Sequence, residues 1–345
     1  MKMIDEGVEE KKEISDMKRG LVFKKFIALF KFRETGIFTG LILLSLIFAV
    51  TSPYFLGVNN LLNVVRQVSL LGIMAVGMTM VIISGEIDLS VGASYAFSAV
   101  ITGLAMTNGF TIGSSIIVGM LAGLVVGIVN GILATYGRIP SLIVTLGMLS
   151  VVRGAALILS RGLPISLSGR TVIDPNLDKF LFIGQGKIFD TIPMMSIFLL
   201  AIVIIGYIIF NKTIYGCHMR AVGGNQIAAR VSGINVKIIK VMAFSITGLL
   251  CALAGIVSLA FLANVTGTTG TGLELQVIAA VIIGGTTLKG GEGTILGTFI
   301  GVLIIGVLRN GLVLLGISPF WQMLLVGLVI IGAVGIDMWT RRETT

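Results

Sequence analysis

Apolar residues run along this chain in long blocks, separated by short stretches that hold most of the charge. A membrane-spanning helix needs about 20 predominantly apolar residues. On that rule the blocks at 36–52, 62–84, 90–108, 112–136, 141–160, 194–210, 239–262, 274–287, 293–315 and 319–340 predict about ten spanning helices. The eighth is short and Gly-rich, which predicts a re-entrant or broken segment. Before the first block, Lys alternates with Phe and Leu over 21–32, a pattern that suits an amphipathic helix on the inner membrane surface.

Charge placement orients these blocks. With the N-terminus inside, the inner segments hold the nine Lys and Arg before residue 36, then Arg138, Lys212, Arg220, Arg230, Lys237, Lys240, Lys289, Arg341 and Arg342. Only Arg161, Arg170, Lys179 and Lys187 fall outside, all in one long loop. That asymmetry predicts an even number of spans with both termini cytoplasmic. The expected organisation is a tail 1–35, a membrane domain 36–340 with a cytoplasmic loop 211–238, and a tail 341–345.

Composition agrees. The chain is 55% hydrophobic and 12% charged, about half the charged share of an average soluble domain. Disorder and a disulfide scaffold are excluded on these numbers. The net charge of +9 sits in tails and loops, so it reads as membrane orientation, not as a nucleic-acid surface. The expected class is an all-α polytopic membrane protein.

Glycines at 119, 123, 127 and 131 form an i, i+4 row along one face of the fourth block, and Gly297 and Gly301 repeat the spacing in the ninth. Such rows let helix backbones approach closely, either within the bundle or between subunits. One internal echo, Val81-Ile82-Ile83-Ser84-Gly85 against Val281-Ile282-Ile283-Gly284-Gly285, raises the question of duplicated halves.

Catalytic chemistry is sparse. No Gly-Lys-Ser/Thr phosphate loop stands in the Gly-rich stretch 284–297. One histidine, His218, and two distant cysteines, Cys217 and Cys251, assemble no metal or nucleophile–base centre. The expectation is therefore no enzyme, no metal and no bound cofactor. Charges deep in the blocks are limited to Arg153 and Arg309, whose roles stay open, while Glu86 and Asp88 lie at the end of the second block and Glu274 opens the eighth. No proton relay is apparent, which places the energy source in a partner.

Two polar segments stand out. Gly85, Asp88, Ser90 and Gly92 form a turn in which Asp88 and Ser90 are predicted to cap the helix beginning at Val91, with direct solute contact as the alternative. Asn264, Thr266, Thr268, Thr269 and Thr271, directly before Glu274, concentrate hydrogen-bonding groups that suit a mobile outer gate; an ordinary flexible loop is the alternative. In the basic loop 211–240, Asn225 predicts an N-cap for a short helix 226–232 stopped by Gly233. A capped helix outside the bilayer suits docking into a soluble partner, although an ordinary connection explains the loop equally.

At these residues the chain resembles a known family. Ile227-Ala228-Ala229-Arg230-Val231-Ser232-Gly233 looks like the Glu-Ala-Ala-x-x-x-Gly loop of permease subunits in bacterial ABC importers. The longer Ala221–Val236 stretch resembles the ribose, galactose and xylose importer permeases closely. Gly85-Glu86-Ile87-Asp88-Leu89-Ser90-Val91-Gly92, the Gly-rich 278–297 segment, and Arg309-Asn310-Gly311-Leu312 with Phe320-Trp321-Gln322 agree in order. Ile227 departs from the family's usual acidic residue.

What the resemblance implies is a multi-pass permease subunit of a simple-sugar importer in the bacterial inner membrane. ATP would be bound by partner ATPases, specifically a twin-cassette ATPase. An extracytoplasmic binding protein would deliver the sugar, and a second permease copy or paralogue would share the pathway. Gly223, Gly224, Asn225, Ala228, Ala229, Arg230 and Gly233 would make the ATPase contact. An ion- or proton-coupled secondary transporter of a small polar solute is the alternative.

Overall fold

The computed structural model describes residues 33–167, 171–172 and 174–342; the 21–32 stretch lies outside them. Ten helices occupy the ten apolar blocks: α1 (Arg33–Thr51), α2 (Val58–Ile83), α3 (Val91–Thr107), α4 (Ile112–Thr135), α5 (Ser141–Leu159), α7 (Met194–Lys212), α10 (Val236–Leu262), α11 (Leu273–Ile283), α12 (Ile295–Leu314) and α13 (Pro319–Arg342). Six of these (α2, α4, α5, α7, α10 and α12) are long and apolar enough to cross a membrane. Hydropathy did not predict α6 (Leu177–Gln185), nor the split of the basic loop into α8 (Ile214–Gly224) and α9 (Gln226–Val231). Among the described residues, four two-residue strands pair as β1 (Ile165–Ser166) with β4 (Asn264–Val265), and β2 (Lys187–Ile188) with β3 (Ile192–Pro193).

The bundle closes around α10. Gly123, Gly127 and Gly131 of α4 pack against its backbone: a methyl at Gly123 would stand 2.5 Å from the Gly248 oxygen, and one at Gly131 2.8 Å from the Val241 Cα. The row thus serves internal packing. Gly297 and Gly301 do the same between α12 and α11, against Gly284 and Ala280. Lipid supplies no hydrophobic drive between helices, so backbone proximity and dispersion contacts hold these faces together.

The echo at 81–85 and 281–285 is a shared helix stop. Gly85 and Gly285 both take φ +83°. Glu86 N–H then donates to Val81 O at 3.1 Å, and Thr286 N–H to Val281 O at 3.2 Å, which satisfies carbonyls that the ended helix leaves free. The same stop ends α11 at Ile283, short of the predicted 287.

Candidate functional site

One end of the molecule, hereafter the α9 face, is built from three chain segments meeting backbone to backbone. Thr213 caps α8, accepting from Gly216 N–H. The helix is pinned by the Arg220 guanidinium 4.7 Å over the Phe210 ring and by Tyr215 Oη donating to Ile239 O at 3.3 Å. At its end Gly223 abuts the last carbonyl of α2, that of Ile83, which accepts from Gly291 N–H at 2.8 Å. Gly85 and Gly290 complete the junction: a methyl on Gly290 would stand 2.9 Å from the Gly85 Cα.

From this junction α9 projects outward. Asn225 Oδ1 accepts from Ile227 and Ala228 N–H, both at 3.0 Å, as the N-cap pattern predicted. Gly233, at φ +84°, stops the helix with Ile234 N–H bonded back to Ala229 O. Ala229 faces inward, while Ala228 and Arg230 are exposed. Ile227 and Val231, one helical turn apart, are 77% and 84% exposed. This six-residue helix therefore carries two bare aliphatic side chains in an otherwise polar segment.

The turn at 85–92 differs from the predicted cap. Ser90 is the N-cap of α3, but no side-chain capping bond forms. Asp88 Oδ1 instead accepts from Ser90 N–H at 2.8 Å and Ser90 Oγ at 2.6 Å. Asn130 Nδ2 on α4 donates to Ser90 Oγ at 2.8 Å. The carboxylate points back into the turn and ties it to α4, so it is unavailable to the free N–H groups of α3. Gly92 belongs to the first turn of α3, not to the loop. Glu86 pairs with buried Lys240 of α10. Asp88→Asn keeps one acceptor for Ser90 and is expected to be mild. Asp88→Ala strands buried donors and is expected to lose about 1–3 kcal/mol. Thermal unfolding in lipid nanodiscs measures both, and equal losses would refute this role.

The segment predicted to be an outer gate runs from β4 to the start of α11. Asn264 pairs with Ser166, and Val265 with Ile165, at the opposite face. The chain then plunges inward. Gly103 of α3 packs at the level of Val265, whereas Gly92, eleven residues along the same helix, packs against Gly270 O and the Glu274 side chain. At a helical rise of 1.5 Å per residue the descent is about 16 Å. Unpaired backbone is costly at such depth, and the threonines answer that need. Thr269 Oγ1 accepts from Thr266 N–H at 3.0 Å and contacts Thr266 Oγ1 at 3.0 Å, while Thr271 Oγ1 donates to Thr268 O at 2.7 Å. Those hydroxyls bond within the turn itself and give the segment a compact re-entrant hairpin.

Arg153 of α5 reaches across to this hairpin, donating through Nη1 to Gly267 O at 3.2 Å and Thr269 O at 2.9 Å. Glu274, in the first turn of α11, accepts from Gly272 N–H at 3.1 Å and lies within coulombic reach of Arg153. Arg309 of α12 is exposed and donates to Gln276 Oε1 at 2.8 Å. Arginines inside apolar blocks were the sequence signal for both sites; their acceptors, more than 30 residues away, were not readable. On the same side, Asp174 caps α4. Backbone N–H groups of Asn176 and Ile112 hold its carboxyl below the usual range.

Six helices long and apolar enough to cross a membrane, packed into one bundle with polar segments between them, define a multi-pass integral membrane protein. Residues 60–334 match the family described as branched-chain amino acid transport system / permease component, and the chain belongs to that family. It is 44% identical over 305 residues to the ribose import permease protein RbsC of Bacillus subtilis, covering 88% of this chain and 92% of that one. It is 37% identical to the probable ABC transporter permease protein YphD of Escherichia coli (92% of each chain), and 35% identical to the fructose import permease protein FrcC of Rhizobium meliloti (81% and 78%). No solved structure matches. A permease component is a subunit of a transport system and not an enzyme.

Proposed function

We propose that this chain is the membrane subunit of a binding-protein-dependent, ATP-powered importer of a simple sugar in the bacterial inner membrane. Relatives named as ribose and fructose permeases support the substrate class, with ribose the first to test. The observation that carries the coupling role is α9, a capped helix outside the apolar bundle with Ile227 and Val231 bare. Its face also bears Arg138, Arg230 and Lys237, which by the positive-inside rule supports a cytoplasmic placement. Ten crossings with both termini inside follow if α3 and α11 complete theirs through the turns at 84–90 and 266–272.

In this reading α9 docks into a groove of the ATPase, specifically a twin-cassette ATPase. Gly223, Gly224 and Asn225 set its direction, and Gly233 ends it. Two permease copies share a pathway bordered by the re-entrant hairpin, and Thr268 and Thr271, exposed at its surface, face the partner copy or the sugar. No atom of this chain lies within 4 Å of where a Gly233 side chain would begin. Gly233→Asp therefore meets no steric clash but strains a left-handed backbone, so Ile227→Asp, on an exposed side chain, is the variant that reads docking alone. Reconstituted with its ATPase and binding protein, the wild type is expected to show sugar-stimulated ATP hydrolysis and uptake. Ile227→Asp should insert normally and lose that stimulation, and Gly233→Asp should lose it with a small added loss of local stability. Normal stimulation in both would remove α9 from the interface, and uptake driven by an ion gradient without ATPase would overturn the importer reading.

A further inference from the structure

A second feature of the α9 face is a cavity of about 950 Å³ between the α4–α5 turn and the start of α10. Arg138, Arg230, Lys237 and Lys240 line it, opposed by the single carboxylate of Glu86. Glu86 is already taken by Lys240. Lys237 rests 4.4 Å from the Tyr136 ring centroid, which places its ammonium without neutralising it. Among the described residues, Arg138 and Arg230 have no carboxylate partner. Three cationic side chains thus converge on one concave space whose single carboxylate is already paired with Lys240.

Backbone adds to the field. The cavity reaches Ser141 at the start of α5 and Val236 at the start of α10. Helix N-termini carry partial positive charge, and α5 has no side-chain capping bond to offset it. Arg138 itself sits at φ +56°, a left-handed conformation unfavourable for an arginine. Strain of that kind persists only where surrounding structure imposes it.

We propose that this cavity is a binding site for a phosphate-bearing anion, gripped by Arg138, Arg230 and Lys237. Its volume falls in the range of small-ligand pockets. Ile139 and Ile234 in its wall leave room for an apolar part beside the phosphate. Because Arg230 belongs to α9 and Arg138 to the α4–α5 turn, an occupant bridges the docking helix to the bundle. The proposal rests on the functional reading only in taking this face as cytoplasmic, where phosphorylated solutes and anionic headgroups both occur.

Binding is measured on the full chain alone, so its outcome is separate from any transport assay. In nanodiscs of neutral phosphatidylcholine, inorganic phosphate titrated against chloride at constant ionic strength should raise Tm saturably. Hydrogen exchange at Gln226–Gly233 should slow in parallel. Arg138→Gly removes the guanidinium and suits the left-handed backbone, so it retains the fold; it and Lys237→Gln should each weaken binding about tenfold, the scale of one charge-assisted bond. If discs containing phosphatidylglycerol raise Tm in an Arg138-dependent way and phosphate then adds nothing, the occupant is a lipid headgroup and the site stands. The proposal falls if phosphate and phosphatidylglycerol move wild type and variants equally or not at all. It falls equally if binding vanishes when the ATPase is docked, which would make the cavity part of the subunit interface.

Discussion

Gly223→Ala is expected to lower stability by about 1–3 kcal/mol, the cost of overpacking, and to abolish coupling, while Gly224→Ala next to it is nearly silent. The methyl at position 223 would be driven into the Ile83 carbonyl and the Gly291 amide, both backbone. No rotamer change relieves a clash with backbone. Relief requires the end of α2, the end of α8 and the 290–291 turn to separate, which breaks the Gly291 N–H to Ile83 O bond. A methyl at 224 meets nothing within 4 Å. Thermal unfolding of the two variants in nanodiscs, together with sugar-stimulated ATP hydrolysis in the reconstituted complex, reads both effects. If Gly223→Ala matches Gly224→Ala in both assays, the glycine junction is not what fixes the direction of α9.

The membrane made much of this architecture legible. Lipid requires long apolar helices, so hydropathy placed a helix in each of ten blocks, six of them long and apolar enough to cross. The glycine spacing marked the face of α4 that packs closely, though not its partner. Caps were readable where a side chain serves its own helix, as with Asn225 and Gly233. The failures share a physical cause. Asp88 carries a capping side chain in a capping position, yet its oxygens accept from Ser90, and Ser90 is in turn held by Asn130 on a helix 40 residues away. Local propensity cannot anticipate a tertiary partner of that kind. The Asn264–Glu274 segment was polar and Gly-rich, which loops and membrane re-entrant turns share. Only the packing of Gly92 against Gly270 distinguishes them. The α8 helix was hidden because its Gly-rich, polar composition reads as a loop until Thr213, Arg220 and Tyr215 find their partners.

Arg153 is the side chain that holds the hairpin at depth, and its removal is the other large effect expected. Two carbonyls, of Gly267 and Thr269, depend on its guanidinium, and Glu274 stands in its field with Oε2 buried and otherwise without a hydrogen-bond partner. Arg153→Met should lose about 1.5–3 kcal/mol, the worth of a bond to a charged group, since half-exposure tempers the loss of the second. Glu274→Gln removes the charge that would be left uncompensated, so it should be less damaging in the Arg153→Met background than alone. The double-mutant cycle is then expected to give a coupling energy of about 0.5–3 kcal/mol. Transport gives the second readout. With the hairpin released, uptake should fall and cysteines at positions 268 and 271, which are exposed, should label faster from the side of β1 and β4. Additive losses within about 0.5 kcal/mol would show that Arg153 and Glu274 act separately. Unchanged labelling would show that the hairpin keeps its place without Arg153, leaving its threonine turn and the Gly92 contact as what fixes the segment inside the membrane.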